Sequence, residues 1–170
     1  MNERKYLHMY NTKILIKNAL IAALYIALTI GLAPISYGPV QVRISEFMTL
    51  LAFLNPRLVP GLVIGCFLAN IGSPFGAVDM CIGTLASFLA VYTMRFCPTL
   101  FTASLMPVLF NGIIIGCELL YLAALPSDMP LWSAMLYIGL GEFLSVSILG
   151  VILMRLMLKN PILQKFLLHD

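Results

Sequence analysis

Charged residues are scarce in this chain, and their scarcity excludes most classes of soluble protein. Only 10% of its 170 residues are charged, whereas 61% are hydrophobic, and the mean hydropathy is +1.00. A soluble domain carries roughly 25% charged residues. We therefore expect an integral membrane protein with one domain, residues 1–170, and no separate soluble catalytic domain.

Motifs for metal binding and catalysis are also missing. The two histidines, His8 and His169, lie near opposite ends of the chain, and the four cysteines form no CxxC pair. A structural metal site needs clustered ligands, so no metal and no cofactor is expected, and an enzyme is the least favoured class. The basic residues flank apolar segments instead of forming one patch, so nucleic acid is not an expected partner.

Long apolar runs make up most of what is present, and a membrane-spanning helix needs about 20 such residues. These runs are found at about 13–32, 77–95, 99–125 and 131–157. A further stretch is interrupted at Asn55-Pro56-Arg57, where proline removes a backbone donor and disfavours helix in the preceding residue. That stretch is either one broken span or two short spans, about 44–54 and 58–71.

The distribution of basic residues favours two short spans. The chain then crosses the membrane six times, both termini are cytoplasmic, and Arg43 lies outside. The other nine of the ten Lys and Arg residues lie inside: Arg4, Lys5, Lys13, Lys17, Arg57, Arg95, Arg155, Lys159 and Lys165. One broken span would place Arg57 in the membrane, five basic residues outside and four inside. Because cytoplasmic loops carry the excess of Lys and Arg, we predict an all-α membrane protein with six transmembrane helices.

The few acids lie in unusual places. Of the seven Asp and Glu residues, four lie inside or at the rim of apolar stretches: Glu46, Asp79, Glu118 and Glu142. A carboxylate in a bilayer is costly and marks a functional site by default. At about 1.5 Å of rise per residue, Glu118 lies about 10 Å and Glu142 about 16 Å below the outer surface. All four fall in the outer half, which predicts a pocket open to the outside for a cationic or donor-rich ligand.

Polar and aromatic residues are expected beside these acids, although several have a structural alternative. Further candidates for the pocket are Asn70, Asn111, Arg43, Tyr37 and Tyr137, and Ser145 aligns with Glu142 along the same predicted helix. Arg43 and Glu46 also suit a structural salt bridge, Asp79 suits the start of a helix dipole, and tyrosines anchor membrane interfaces. Glu118 and Glu142 have no obvious basic partner, so they are the strongest ligand-binding candidates.

The first span carries a different pattern. Ala19, Ala23 and Ala27 recur every four residues and form a smooth stripe. Small residues at this spacing let membrane helices approach closely. The spacing alone favours packing within the protein, and docking onto another membrane protein is the alternative.

A set of short motifs resembles a known family. They are QVRISE at 41–46, PGL at 60–62, GCFLAN at 65–70, SPFG at 73–76, Asp79, and GTLAS at 83–87. Together they resemble the QueT family, whose members are substrate-binding S components of energy-coupling factor (ECF) transporters implicated in uptake of queuosine precursors. The resemblance covers about 13–157 and is densest over 41–87.

This resemblance implies a fold, a set of partners and a mode of action. It implies the six-helix S-component fold, with the ligand bound beneath the first and third loops between helices. The chain would have no ATPase of its own, and would dock on a transmembrane scaffold subunit driven by two cytoplasmic ATPase subunits. It would topple in the bilayer to release its substrate inside. The family's AxxxA docking motif matches Ala19 and Ala23, which reverses the expectation from spacing.

The implied ligand gives the acids a chemical role. Pre-queuosine (preQ1, 7-aminomethyl-7-deazaguanine) presents N–H donors at N1 and N2, which one carboxylate accepts as a pair, and its aminomethyl cation needs a second acid. The hypothesis is that one of Glu118 and Glu142 binds the guanine edge and the other the ammonium. The alternatives are queuine, another deazapurine or another cationic vitamin, and a free-standing secondary transporter that uses the acids as proton relays.

Overall fold

The computed structural model describes residues 3–37, 41–122 and 130–168, with side chains described from residue 12 onward. Every regular element in those ranges is helical. The α-helices are α1 (Glu3–Gly31), α2 (Ala33–Ser36), α3 (Leu51–Leu54), α4 (Val59–Ala69), α5 (Ala77–Met94), α6 (Leu100–Tyr121), α7 (Leu131–Glu142), α8 (Val151–Lys159) and α9 (Pro161–Leu168). 3₁₀ helices cover Ile44–Leu50, Pro56–Leu58 and Asn70–Gly72, and a π-helix covers Phe143–Gly150.

Four helical stretches are long and apolar enough to cross a membrane. They are Thr12–Gly31, Ala77–Phe96, Leu100–Tyr121 and Leu131–Lys159, and two shorter apolar stretches are Ile44–Leu54 and Pro56–Gly72. Large apolar side chains such as Leu15, Phe96 and Ile152 stay exposed on their outer faces. A surface of that kind suits lipid rather than water. Residues 123–125 of the predicted fifth span lie outside the described residues.

The predicted interruption of the second apolar stretch falls at Asn55. Its backbone is extended, with φ −147° and ψ 99°, and it separates α3 from the 3₁₀ turn that begins at Pro56. The Asn55 side chain accepts a hydrogen bond from the Arg57 amide at 3.1 Å and donates one to the Leu167 carbonyl at 3.1 Å. The break is therefore fastened to α9, the last helix of the chain.

Close packing of α1 against α4 depends on two glycines. A Cβ atom at Gly61 would lie 2.5 Å from the carbonyl oxygen of Asn18, and one at Gly65 would lie 2.9 Å from the Cβ of Tyr25. The Gly61 amide also donates to Asn18 Oδ1 at 2.6 Å. These contacts bring the face of α1 that contains Tyr25 into the core.

The alanine stripe of α1 faces the other way. Ala19, Ala23 and Ala27 are all exposed, whereas Ile21 and Tyr25 are buried. Packing of the stripe within the chain, which the spacing alone favoured, is therefore wrong. The physical reason is that α4, and not α1, supplies the small residues at this contact. Gly61 and Gly65 of α4 let the buried face of α1 approach closely.

Glycines also bring α6 and α7 together. A Cβ at Gly116 would lie 2.6 Å from Met135 Cγ, and a Cβ at Gly112 would lie 3.3 Å from the Met135 carbonyl oxygen. Since small residues permit short distances between helix axes in membranes, the polar residues of these two helices come within hydrogen-bonding range.

The π-helix lies against the 3₁₀ helix that begins at Ile44. A Cβ at Gly150 would lie 3.1 Å from the Phe47 Cβ, so these backbones approach closely. Inside the π-helix, Ser147 accepts a hydrogen bond from the Ser104 hydroxyl at 3.0 Å. The site acid Glu142 immediately precedes this segment, and π-helical turns are frequent at functional sites.

Candidate functional site

The four intramembrane acids all point into the protein. Glu46 is 0%, Asp79 3%, Glu118 3% and Glu142 5% exposed. They come from the first 3₁₀ helix, α5, α6 and α7 respectively. Four separate elements therefore contribute buried carboxylates to the interior.

Glu46 is the most constrained of these acids. The Tyr25 hydroxyl donates a hydrogen bond to Glu46 Oε1, the Ser87 hydroxyl lies 3.5 Å from the same atom, and the Arg43 guanidinium forms a 3.8 Å ion pair with it. The other oxygen, Oε2, has no hydrogen-bond partner among the described residues. Glu46 therefore forms the expected salt bridge and still offers one acceptor.

Arg43 and Tyr37 link Glu46 to the end of α2. The Arg43 guanidinium lies 5.6 Å from the centre of the Tyr37 ring, within cation–π range. The Tyr37 hydroxyl donates to the carbonyl of Ala69 at 2.5 Å. Burial raises the pKa of the Tyr37 hydroxyl above its ordinary value, so the group remains a donor at neutral pH. These contacts join the end of α2 to the end of α4.

Asn70 and Asp79 form a second polar group at the start of α5. Asn70 Nδ2 donates to the backbone carbonyl of Asp79 at 3.1 Å. Both side chains lie over Gly83, where a Cβ would be 2.7 Å from Asp79 Oδ1 and 2.9 Å from Asn70 Nδ2. Asn70 Oδ1 and Asp79 Oδ2 have no partner among the described residues.

Glu118 faces this group from α6. Both of its carboxylate oxygens are buried without a hydrogen-bond partner in the described part of the chain. Asp79 belongs to α5, which packs against α6. Two carboxylates repel each other when both are charged, and a cation between Asp79 and Glu118 would relieve that repulsion.

Asn111 and Glu142 form the corresponding pair between α6 and α7. Asn111 Nδ2 donates to Glu142 Oε1 at 2.7 Å. Asn111 Oδ1, Glu142 Oε2 and the Ser145 hydroxyl have no partner among the described residues. The 3₁₀ helix that contains Glu46 packs against the π-helix that follows Glu142. Asn111, which precedes Glu118 by seven residues on α6, thus forms a direct bond to Glu142 on α7.

The buried polar atoms without a partner are mostly acceptors. Those in the described residues belong to Ser36, Glu46, Asn70, Asp79, Thr84, Asn111, Glu118, Glu142 and Ser145. An unsatisfied buried polar group costs about 1–3 kcal/mol, and native proteins keep few of them. So many acceptors in one region suit a ligand that brings several N–H donors, a positive charge, or both.

Tyr137, one of the predicted pocket residues, lies on the surface together with two other aromatic residues. Tyr137 is 44% exposed, and Trp132 and Tyr121 are more exposed still, at 64% and 85%. All three side chains are exposed on the surface of the protein, as aromatic anchors at a membrane interface are. Phe75 is instead half-buried against an apolar cluster that contains Ile115 and Ile138, so it is better placed than Tyr137 to contact a flat ligand.

Tyr25 is a site residue that the sequence reasoning missed. It is fully buried and holds Glu46 directly. Its position in the middle of an apolar span could have identified it. A hydroxyl at that depth needs a hydrogen-bond partner within the protein. In the described residues there is no cluster of three or more His, Cys, Asp or Glu that could hold a metal ion.

An apolar groove lies apart from the acids. Its volume is about 750 Å³, and its walls come from α6 and α7, including Leu109, Ile113, Trp132 and Leu136. These residues are exposed, so the groove opens on the lipid-facing surface. It offers none of the acceptors that a cationic or donor-rich ligand requires.

Comparison with known proteins agrees with these features. The profile of the QueT transporter family matches residues 15–159. The queuosine precursor transporter QueT of Lactococcus lactis subsp. cremoris (strain MG1363) is 42% identical over 82 residues, which cover 46% of this chain and 48% of that protein. No solved structure matches the chain significantly. With a family match over most of its length and four apolar helices long enough to span a bilayer, the chain is a multi-pass membrane protein that belongs to the QueT transporter family.

Proposed function

We propose that the chain is the substrate-capture subunit, or S component, of an ECF-type importer and binds a queuosine precursor in an outward-facing pocket. The observation that carries this proposal is the group of buried, unpartnered acceptors on Asn70, Asp79, Asn111, Glu118 and Glu142. The curated relative is named as a queuosine precursor transporter, which supports a ligand of this class for the present chain.

A 7-aminomethyl-7-deazaguanine or a related deazaguanine matches these acceptors. Its guanine edge has N–H donors that a carboxylate accepts in a charge-assisted pair, and its aminomethyl arm is a cation. Glu118 and Glu142 are the main ligand-binding groups, one for the edge and one for the ammonium. Glu46, held by Tyr25 and Arg43, shapes the wall of the pocket.

Transport on this proposal requires partner subunits. The chain crosses the membrane six times with both termini in the cytoplasm, and the short helices around Asn55 form the second and third crossings. The exposed stripe of Ala19, Ala23 and Ala27 docks on a transmembrane scaffold subunit, which two cytoplasmic ATPase subunits drive. The chain itself supplies no ATPase and releases its ligand inside by toppling in the bilayer.

The binding step is tested with purified chain and 7-aminomethyl-7-deazaguanine. We expect a bound ligand to raise the melting temperature by mass action. Glu118→Gln and Glu142→Gln keep the side-chain size but remove the charge, and each should weaken binding by about tenfold or more, equal to about 1.4 kcal/mol. Affinity that is unchanged in both variants would contradict the assignment.

The coupling step is tested by uptake into liposomes. An S component alone should take up no ligand in response to a proton gradient, and uptake should require ATP together with the scaffold and ATPase subunits. Proton-driven uptake by this chain alone would instead support a free-standing secondary transporter. A panel that includes queuine and other cationic vitamins distinguishes the remaining ligand alternatives.

A further inference from the structure

We propose that the site is divided into two compartments that fix the orientation of its ligand. The outer compartment consists of Asn70, Asp79 and Glu118, and it binds an ammonium group. The inner compartment consists of Asn111, Glu142 and Ser145, and it binds the hydrogen-bonding edge of the base. This inference rests on the proposed function, and it adds a role for each group and names Ser145 as a specificity-determining residue.

The outer compartment offers only acceptors. The amide nitrogen of Asn70 is used on the Asp79 carbonyl at 3.1 Å, which leaves its Oδ1 atom facing the site. Asp79 Oδ2 and both oxygens of Glu118 are also buried without a partner among the described residues. An alkylammonium has three N–H donors and no acceptor, so three acceptor residues match it without leaving any donor unused.

The charge balance of the outer compartment agrees with a cationic ligand group. Asp79 on α5 and Glu118 on α6 are both buried, and these two helices pack against each other. In the described residues the Arg43 guanidinium forms an ion pair with Glu46. Asp79 and Glu118 therefore have no salt-bridge partner among those residues. Like charges held together in a buried place are stabilised by a positive charge between them.

The inner compartment offers acceptors together with a donor. The 2.7 Å bond from Asn111 Nδ2 fixes one oxygen of Glu142 and leaves Glu142 Oε2 and Asn111 Oδ1 as acceptors. The Ser145 hydroxyl is buried and unpartnered among the described residues, and it can donate. A guanine-type edge has two neighbouring N–H donors and one carbonyl acceptor, so two acceptors and one hydroxyl donor complement it.

Another serine in the same π-helix shows why Ser145 is singled out. Ser147 accepts from the Ser104 hydroxyl at 3.0 Å and donates to the Ser104 carbonyl at 3.2 Å. Its hydrogen-bonding capacity is therefore used within the protein, whereas that of Ser145 is available. In a 7-aminomethyl-7-deazaguanine the arm and the N1/N2 edge lie on different rings, so one orientation alone fills both compartments.

Two probes with the same base separate the compartments. One is 7-aminomethyl-7-deazaguanine, which is cationic, and the other is 7-cyano-7-deazaguanine, which is neutral. The full-length protein should bind the cationic probe at least about tenfold more tightly. Asp79→Asn and Glu118→Gln should each remove this preference, with binding of the cyano probe changed by less than about twofold. The second variant keeps the test valid if the first does not fold.

The inner compartment is tested with the two serines. Ser145→Ala should weaken both probes equally, by about fivefold, which is the loss expected for one net hydrogen bond. Ser147→Ala is the matched control and should change neither affinity. Equal weakening of both probes by Asp79→Asn and Glu118→Gln would overturn the outer assignment, and no effect of Ser145→Ala would overturn the inner one. Failure of the unaltered protein to bind either probe would instead refute the proposed function itself.

Discussion

Gly83 lies between two polar side chains of the site, and its lack of a Cβ atom permits their approach. An added Cβ would be 2.7 Å from Asp79 Oδ1 and 2.9 Å from Asn70 Nδ2. Carbon does not approach polar atoms that closely, so one of the two groups would have to move. Because Asn70 is held by its bond to the Asp79 carbonyl, displacement of either side chain disturbs both.

Gly83→Ala should therefore weaken binding of 7-aminomethyl-7-deazaguanine by about tenfold or more. The free energy of unfolding should change little, because the preference of a helix interior for alanine over glycine, up to about 1 kcal/mol, offsets the cost of displacing these polar groups. Isothermal titration and thermal unfolding in detergent separate the two effects. Gly31→Ala is the control, since a Cβ there meets no atom within 4 Å. Normal affinity in Gly83→Ala would contradict this account of the glycine.

At the scale of single residues, the sequence predicts which acids are buried better than it predicts their contacts. The burial of Glu118 and Glu142 follows from their positions in apolar runs, and the structure places both in the interior. The bond from Asn111 to Glu142 joins residues 31 positions apart, and the bond from Tyr25 to Glu46 joins residues 21 apart. Such pairs depend on how each helix is rotated against its neighbour, which one sequence does not specify.

Among the elements, the pair of α1 and α4 shows how glycine sets the distance between helices. At Gly61 the nearest atom to an added Cβ is the backbone oxygen of Asn18, at 2.5 Å. A backbone atom cannot rotate away as a side chain does. Any side chain at Gly61 therefore pushes the two helices apart and breaks the hydrogen bond that the Gly61 amide donates to Asn18.

We expect Gly61→Ala to lower the free energy of unfolding by about 1–3 kcal/mol, the usual cost of overpacking. Thermal or denaturant unfolding of the purified protein measures it. Gly139→Ala is a suitable control, because a Cβ there would make ordinary contacts at 3.8 Å with Val108. If both variants were as stable as the unaltered protein, the close approach of α1 and α4 would not contribute to the free energy of unfolding.

The sequence predicts one helix break correctly, but it does not predict the helix types. The Asn55-Pro56 break follows from proline chemistry and is found where expected. The 3₁₀ helix at Ile44 and the π-helix at Phe143 were not foreseen, because apolar composition is similar in all three helix types. The direction of the Ala23 face was also unpredictable from spacing, since α1 carries small residues on both its buried and its exposed faces.

Among the described residues of the whole molecule, buried acids and exposed basic residues occupy different parts of the helices. The buried acids lie in the first turns of the Ile44–Leu50 3₁₀ helix and α5 and in the last turns of α6 and α7, and Arg43 is paired with Glu46. Exposed basic side chains, such as Arg95, Arg155 and Lys159, belong to the opposite ends of α5 and α8. This arrangement gives the pocket a local surplus of negative charge and suits the orientation proposed from the positive-inside rule.

The exposed alanine stripe provides a test on assembly rather than on folding. We expect Ala23→Phe to leave the melting temperature and the ligand affinity of the isolated chain unchanged, because Ala23 is exposed. ATP-driven uptake by the chain with its scaffold and ATPase subunits should fall by about tenfold or more, since a bulky ring prevents close helix approach. Leu136→Phe, on the exposed face of α7, is the control. Full uptake by Ala23→Phe would place the docking surface elsewhere.

The π-helix between Phe143 and Gly150 has a consequence for how this gene can vary. Its i→i+5 bonds accommodate more residues per turn than an α-helix, so the segment contains the equivalent of an inserted residue. Deleting one residue there would let the segment return to an α-helix and would leave Val151 and Met154 facing the core, whereas a deletion elsewhere in this helix would rotate everything after it by about 100°. Across a lineage, this last long helix should therefore lose a residue within the π-helix far more readily than at any other position.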